Sequence, residues 1–166
     1  DYDNDGDYDI FVLRGAWRFE AGRIPNSLLQ YNGKGTFIDV TVSAGLAQAH
    51  PTQTAVWADF DNDGQLDLYV GNEDNPCELF RNNGNGTFTN VARKAGVENG
   101  FYTKGVVWGD FDNDRYPDLY VSNFGTPTRL RKSAGGNVKR AFGTDRGVEN
   151  RLYRNQGDGT FVDVAK

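Results

Sequence analysis

At 166 residues the chain has room for one domain of ordinary size, and its net charge of −5, from 23 acids against 18 Lys and Arg, argues against nucleic-acid binding. The single cysteine, Cys77, rules out an internal disulfide framework, and no apolar run approaches the roughly 20 residues of a membrane span. Twenty-one glycines, abundant Phe and Tyr and no Met favour strands and tight turns over helices.

The chain opens on an aspartate-rich turn, DYDNDGDYD at 1–9, followed by an apolar strand-like run, IFVL. With no initiator Met and a motif already under way, further residues upstream are expected. LLQYNGKGTFIDV follows at 28–40, then VSAGL, which reads as one helical turn closing at glycine. The same elements return. TAVWADF at 54–60 leads into the turn DFDNDGQLD at 59–67 and the run LYV, then LFRNNGNGTFTNV at 79–91 and RKAGV. GVVWGDF at 105–111 leads into DFDNDRYPD at 110–118 and LYV, with LYRNQGDGTFVDV at 152–164. A period near 50 residues signals a solenoid, propeller or array.

Each unit reads as four antiparallel strands, A to D. In the third unit A is expected at 104–111, B at 118–122, C at 150–154 and D at 160–164. Strand B is apolar enough to be covered on both faces, and C and D join through Asn/Gly turns such as Asn83-Gly84-Asn85-Gly86. Such units are β-propeller blades. The expected fold is therefore all-β, an incomplete propeller of about three blades. Repeat 1 covers 1–45 and lacks strand A; repeat 2 covers 52–97; repeat 3 covers 103–166, with a long insertion at 123–150.

The aligned turns place carboxylates at positions 1, 3, 5 and 9: Asp1, Asp3, Asp5, Asp9; Asp59, Asp61, Asp63, Asp67; Asp110, Asp112, Asp114, Asp118. Position 7 varies (Asp7, Gln65, Tyr116), which suits a backbone carbonyl ligand. Two carboxylates about 5 Å apart repel by roughly 3 kcal/mol at an effective dielectric near 20. Four in one compact turn therefore call for a cation. Hard carboxylate and carbonyl oxygens suit Ca²⁺ better than Mg²⁺, which demands a stricter octahedron. Up to three Ca²⁺ are expected. Thirteen of the 23 acids sit in these turns, and the remaining ten face 18 Lys and Arg, so the negative charge is concentrated in the sites. Position 6, where a sharp turn favours glycine, is Gly6, Gly64 and Arg115; the arginine is expected to weaken the third site. Position 12 is Val12, Val70 and Val121 rather than the bidentate Glu of an EF-hand.

In an antiparallel blade the aspartate turns and the C–D hairpins share one face, and the B–C connections lie opposite. The B–C spacing runs 20, 12 and 34 residues, from Asp9 to Leu29, Asp67 to Leu79 and Asp118 to Leu152. The longest insertion carries Arg129, Arg131, Lys132, Lys139, Arg140 and Arg146 against Asp145 and Glu149. Long loops on a rigid scaffold carry function, so Arg129, Arg131, Lys132, Lys139 and Arg140 are candidates for an acidic partner, with a solvated insertion as the plainer alternative. Trp57 and Trp108 share a place in strand A and are expected to pack between blades. Trp17 and Phe19 are free to stack on a sugar or to plug the propeller. The sequon Asn85-Gly86-Thr87 lies in a tight hairpin. His50, the only histidine, reads as a solvated loop residue and Cys77 as a buried apolar one. No nucleophile elbow, HExxH or phosphate loop is present, so no catalytic residue is assigned.

ADFDNDGQLDLYVGN followed by ELFRNNGNGTFTNVARKAGV closely resembles the FG-GAP/VCBS repeat of integrin-α-like propellers, and within it the cartilage acidic protein and ASPIC/UnbV-like group. The resemblance covers nearly the whole chain. It implies calcium in the DxDxDGxxD turns, held by the twelve aspartates above, with Arg115 placing the third turn in question. It also implies a propeller of about seven blades, whose remaining blades would be partners of these, and a secreted or periplasmic, non-catalytic module that binds extracellular protein or glycan. The alternatives are the propeller portion of a polysaccharide-active lyase or hydrolase, and a structural spacer.

Overall fold

The computed structural model describes residues 1–14, 24–73, 75–124, 131–132, 138–139 and 149–165. Three antiparallel sheets account for most of them, in chain order. The first holds β1 (Ile10–Val12), β2 (Ser27–Tyr31) and β3 (Phe37–Asp39) in the order β1-β2-β3. The second holds β4 (Thr52–Ala58), β5 (Asp67–Asn72), β6 (Glu78–Asn82) and β7 (Phe88–Asn90), and is followed by the one-turn helix α1 (Ala92–Ala95). The third opens with β8 (Thr103–Gly109) and β9 (Asp118–Asn123). The chain then forms a short ladder of β10 (Arg131–Lys132) with β11 (Val138–Lys139) and returns as β12 (Arg151–Asn155) and β13 (Phe161–Asp163). The order β13-β12-β9-β8 repeats that of the second sheet. The chain is all-β with almost no helix.

Sequence and structure agree on the strand order A to D, and differ at strand ends. Strand A of the third sheet stops at Gly109, because Asp110 and Phe111 are drawn into the aspartate turn. The insertion contains the β10–β11 pair, with Arg131 opposite Lys139. Arg129, Arg140, Arg146, Asp145, Trp17 and Phe19 lie outside the described residues.

Each helical turn closes at a left-handed glycine. Gly96 (φ 81°) caps α1 while Val97 donates its N–H to the Ala92 carbonyl, and Gly45 (φ 80°) does the same while Leu46 bonds to Thr41. A side chain at either glycine would be crowded as well, since a Cβ would sit 3.3 Å from the Phe161 or Phe88 carbonyl of the following sheet.

The core is two layers, each between neighbouring sheets. Strand alternation divides the residues. Leu68, Val70 and Phe80 of the second sheet pack back on Tyr2 and Leu28 of the first. Tyr69 and Leu79 pack forward on Leu119, Val121, Tyr153 and Phe161 of the third. β5 is thus buried along its whole length. Trp57 meets Phe11 edge-on at 6.1 Å and Trp108 meets Tyr69 edge-on at 6.2 Å, so both tryptophans pack between sheets as their repeat position predicts. Cys77 is buried within 3.1 Å of the Thr103 hydroxyl, and burial pushes its thiol up.

Candidate metal centre

Each aspartate turn leads into strand B, the second and third from strand A, and its backbone explains its sequence. Position 4 is left-handed in all three turns (Asn4, Asn62 and Asn113, φ 58°, 57° and 62°), a conformation asparagine tolerates better than most residues. Position 6 is left-handed too: Gly6 at 92°, Gly64 at 85° and Arg115 at 76°. The arginine holds a conformation suited to glycine. Position 5 folds the turn by accepting the N–H two residues on, at 2.9 Å in each copy (Asp5 from Asp7, Asp63 from Gln65, Asp114 from Tyr116). Position 1 accepts two more N–H bonds: Asp59 from Asp63 and Gly64, Asp110 from Asp114 and Arg115.

Position 9 has a role that the spacing alone does not reveal. One oxygen of Asp67 accepts the Phe60 N–H at 3.1 Å, closing the turn, and the other accepts the Asn82 N–H of strand C at 2.8 Å. Asp9 does the same with Tyr2 and Tyr31, and Asp118 with Phe111 and Asn155. The last aspartate of each turn therefore ties the turn to strand C of its own repeat. Burial pushes the Asp67 carboxyl up to about 7 in spite of these two bonds.

Carboxylate oxygens converge in each turn to within 4.8 Å: Asp1, Asp3 and Asp5; Asp59, Asp61 and Asp67; Asp110, Asp112 and Asp118. Asp9, Asp63 and Asp114 stand outside these tight groups. Asp3 and Asp61, at position 3, each have one buried oxygen with no hydrogen-bond partner, and so does Asp1. A buried, unpaired carboxylate oxygen is costly, and three such oxygens lie where a cation would sit. Burial, with Asp63 next, holds the Asp61 carboxyl above the usual range, against the opposing pull of Arg81. Hard oxygens at this density fit Ca²⁺: in turns one and two Asp1, Asp3, Asp5, Asp59, Asp61 and Asp67 would hold it, and in turn three Asp110, Asp112 and Asp118.

The position-7 side chains of Asp7, Gln65 and Tyr116 lie over Gly33, Gly84 and Gly157 of the C–D hairpins; a Cβ on those glycines would stand 3.6, 3.7 and 3.0 Å from them. The aspartate turns and the Gly-rich hairpins therefore share one face. Neighbouring turns also touch. Asn4 donates to the Gly64 carbonyl at 3.1 Å, and Asn62 to the Arg115 carbonyl at 3.2 Å. Asn82 and Asn155 reach back to the Tyr2 and Phe60 carbonyls of the preceding turn. The repeat of asparagine at positions 4, 62 and 113 was the available signal for this chain of contacts.

One smaller expectation changes, and another gains detail. His50 is not simply solvated: its Nε2 lies 3.9 Å from Glu78, whose carboxyl burial pushes up. Asn85 of the sequon accepts bonds from the Thr87 N–H and hydroxyl, so its side chain helps build the hairpin.

The FG-GAP-like repeat model matches residues 1–70 and again 59–121. The chain belongs to the FG-GAP-like repeat family. It is also similar to Cartilage acidic protein 1 from Xenopus tropicalis (35% identical over 104 residues, 60% of this chain and 16% of that protein). The mouse protein of the same name is 28% identical over 145 residues, 81% of this chain and 22% of that protein. The human one is 34% identical over 104 residues, 60% of this chain and 15% of that protein. The chain thus spans less than a quarter of the length of these relatives.

Proposed function

We propose that this chain is a calcium-stabilised run of β-propeller blades in an extracellular, non-catalytic module that binds protein or glycan. The observation that carries this reading is the trio of buried carboxylate oxygens on Asp1, Asp3 and Asp61, unpaired within groups that converge to 4.8 Å. A bound Ca²⁺ supplies the charge those oxygens lack. It fixes the turn, the turn's ninth residue fixes strand C, and the position-4 asparagine passes the order to the next turn.

Membership of the FG-GAP-like repeat family and similarity to Cartilage acidic protein 1 support an extracellular setting, where sites of this kind work with dissociation constants of roughly 10⁻⁴ to 10⁻³ M. Among the described residues, no helix is long and apolar enough to cross a membrane.

Isothermal calorimetry with CaCl₂ tests the reading. Binding should be saturable, and Asp61→Ala should remove one site while leaving the first turn's. A wild-type chain that takes up no calcium at millimolar concentrations would sink it.

A further inference from the structure

A cleft of about 470 Å³ opens between the second and third sheets on the face that carries the aspartate turns. Half-buried Val91 lines its base, and Phe60 borders it with almost no exposed surface. One wall is the third sheet's hairpin at 157–159, and the other carries Arg81 and Lys94. Among the described residues, Lys94 is exposed and has no ion-pair partner, and Arg81 has only Asp61, at 3.9 Å. Two carboxylates also border the cleft. Asp61 belongs to the second metal group, and one oxygen of Asp158 accepts the N–H and the hydroxyl of Thr160.

The repeat supplies an internal control. The positions that correspond to Arg81 and Lys94 in the first repeat are Gln30 and Ser43. Gln30 donates to Asp3 at 2.6 Å, and Ser43 to the Val40 carbonyl. At the first junction, then, the same two places are neutral and satisfied within the protein. At the second they are cationic and exposed, Lys94 without an ion-pair partner among the described residues and Arg81 with Asp61 at 3.9 Å. Neither cation is needed to build a junction, since the first junction forms without them.

We propose that this cleft binds an acidic saccharide, with its carboxylate or sulfate held between Arg81 and Lys94. A sugar ring has an apolar C–H face to lie on the half-buried Val91, and hydroxyls to meet Thr89 and the hairpin backbone. The cleft volume is of the size that takes small ligands. Arginine presents paired donors that match a carboxylate or sulfate. The site rests on and deepens the calcium reading, because a cation held by Asp61 frees Arg81 from its ion-pair partner among the described residues.

The test is calorimetry on the whole 166-residue chain. Probes are a hexasaccharide of alternating glucuronate and N-acetylhexosamine, with and without O-sulfate, in calcium and in EGTA. An acidic peptide, Glu₆, is the third arm. Saccharide binding in calcium is expected, weakened in EGTA. Arg81→Gln with Lys94→Ser, which installs the first junction's residues, should weaken it about tenfold or more while the chain, measured without sugar, still takes up calcium. Gln30→Arg with Ser43→Lys should raise the stoichiometry from one to two. The two saccharides decide whether carboxylate suffices or sulfate is required. Calcium uptake without saccharide binding, equal binding by the double variant, or binding of Glu₆ alone would overturn the proposal. Saccharide binding to a chain that takes up no calcium would keep the cleft and remove the calcium reading instead.

Discussion

The second and third sheets carry nearly the same strand B, Leu68-Tyr69-Val70 and Leu119-Tyr120-Val121, yet bury it differently. Tyr69 is fully buried and Tyr120 is 38% exposed; Phe60 is 2% exposed and its counterpart Phe111 48%. The residues that face backward, Leu119 and Val121, are as buried as Leu68 and Val70. The difference lies wholly on the forward face, where the second sheet meets the third. A sheet therefore makes only half of its own core, and the neighbour supplies the rest, as in other stacked repeats.

Gly71 shows the same effect at one residue. A Cβ there would stand 2.7 Å from methyl carbons of Thr54 and of Thr103 in the next sheet, so only glycine fits. In the third sheet the same position is Ser122.

The sharpest way to break this comparison is to truncate the two tyrosines. Tyr69→Ala should cost about 3–5 kcal/mol, the range for emptying a large aromatic from a core, whereas Tyr120→Ala should cost less than about 1 kcal/mol. Denaturant midpoints for the two variants check it; equal losses would mean that the sheets do not depend on each other. Gly71→Ala should cost about 1–3 kcal/mol through overpacking, while Ser122→Ala stays within about 0.5 kcal/mol in the same assay.

The turns offer a comparison of their own. Arg115 holds φ 76° where Gly64 holds 85°. Arg115→Gly should stabilise the chain by about 1 kcal/mol, and Gly64→Arg should destabilise it by about 1–2 kcal/mol, read from melting curves in excess calcium.

The smallest effect is on pH dependence. The Asp67 carboxyl stands near 7 when folded against an ordinary 3.8. The metal-free folded chain thus keeps a proton that the unfolded chain has released. Its contribution is fully present below about pH 4 and drains away as pH rises to about 7. In EDTA, stability should fall across that window relative to the calcium-loaded chain, in which the metal takes the proton's place. Parallel pH profiles with and without calcium would contradict it.

Much of the architecture is legible in the sequence because each repeat restates it. The phrase DxDxD followed by an apolar triplet fixes strand B, the Asn/Gly hairpins fix C and D, and Trp57 and Trp108 mark the packed junctions. Contacts between repeats are less legible. Asn62 and Asn82 donate to backbone carbonyls, of Arg115 and of Tyr2, and a carbonyl acceptor leaves no mark in the sequence. The double duty of Asp67 is hidden for the same reason, since both its donors are backbone N–H groups. The forward face of the third sheet looks like a buried surface by composition, and only the arrangement of sheets shows that Tyr120 and Phe111 lack a cover here.

The central claim is that a divalent cation among the clustered aspartates locks each blade, and thermal melting against calcium concentration tests it most directly. The midpoint should climb steadily as calcium rises past its dissociation constant, as binding to the native state alone requires, and should fall on adding EDTA. A midpoint that is the same in EDTA and in 10-fold steps of calcium up to about the millimolar range expected for extracellular sites would contradict the account.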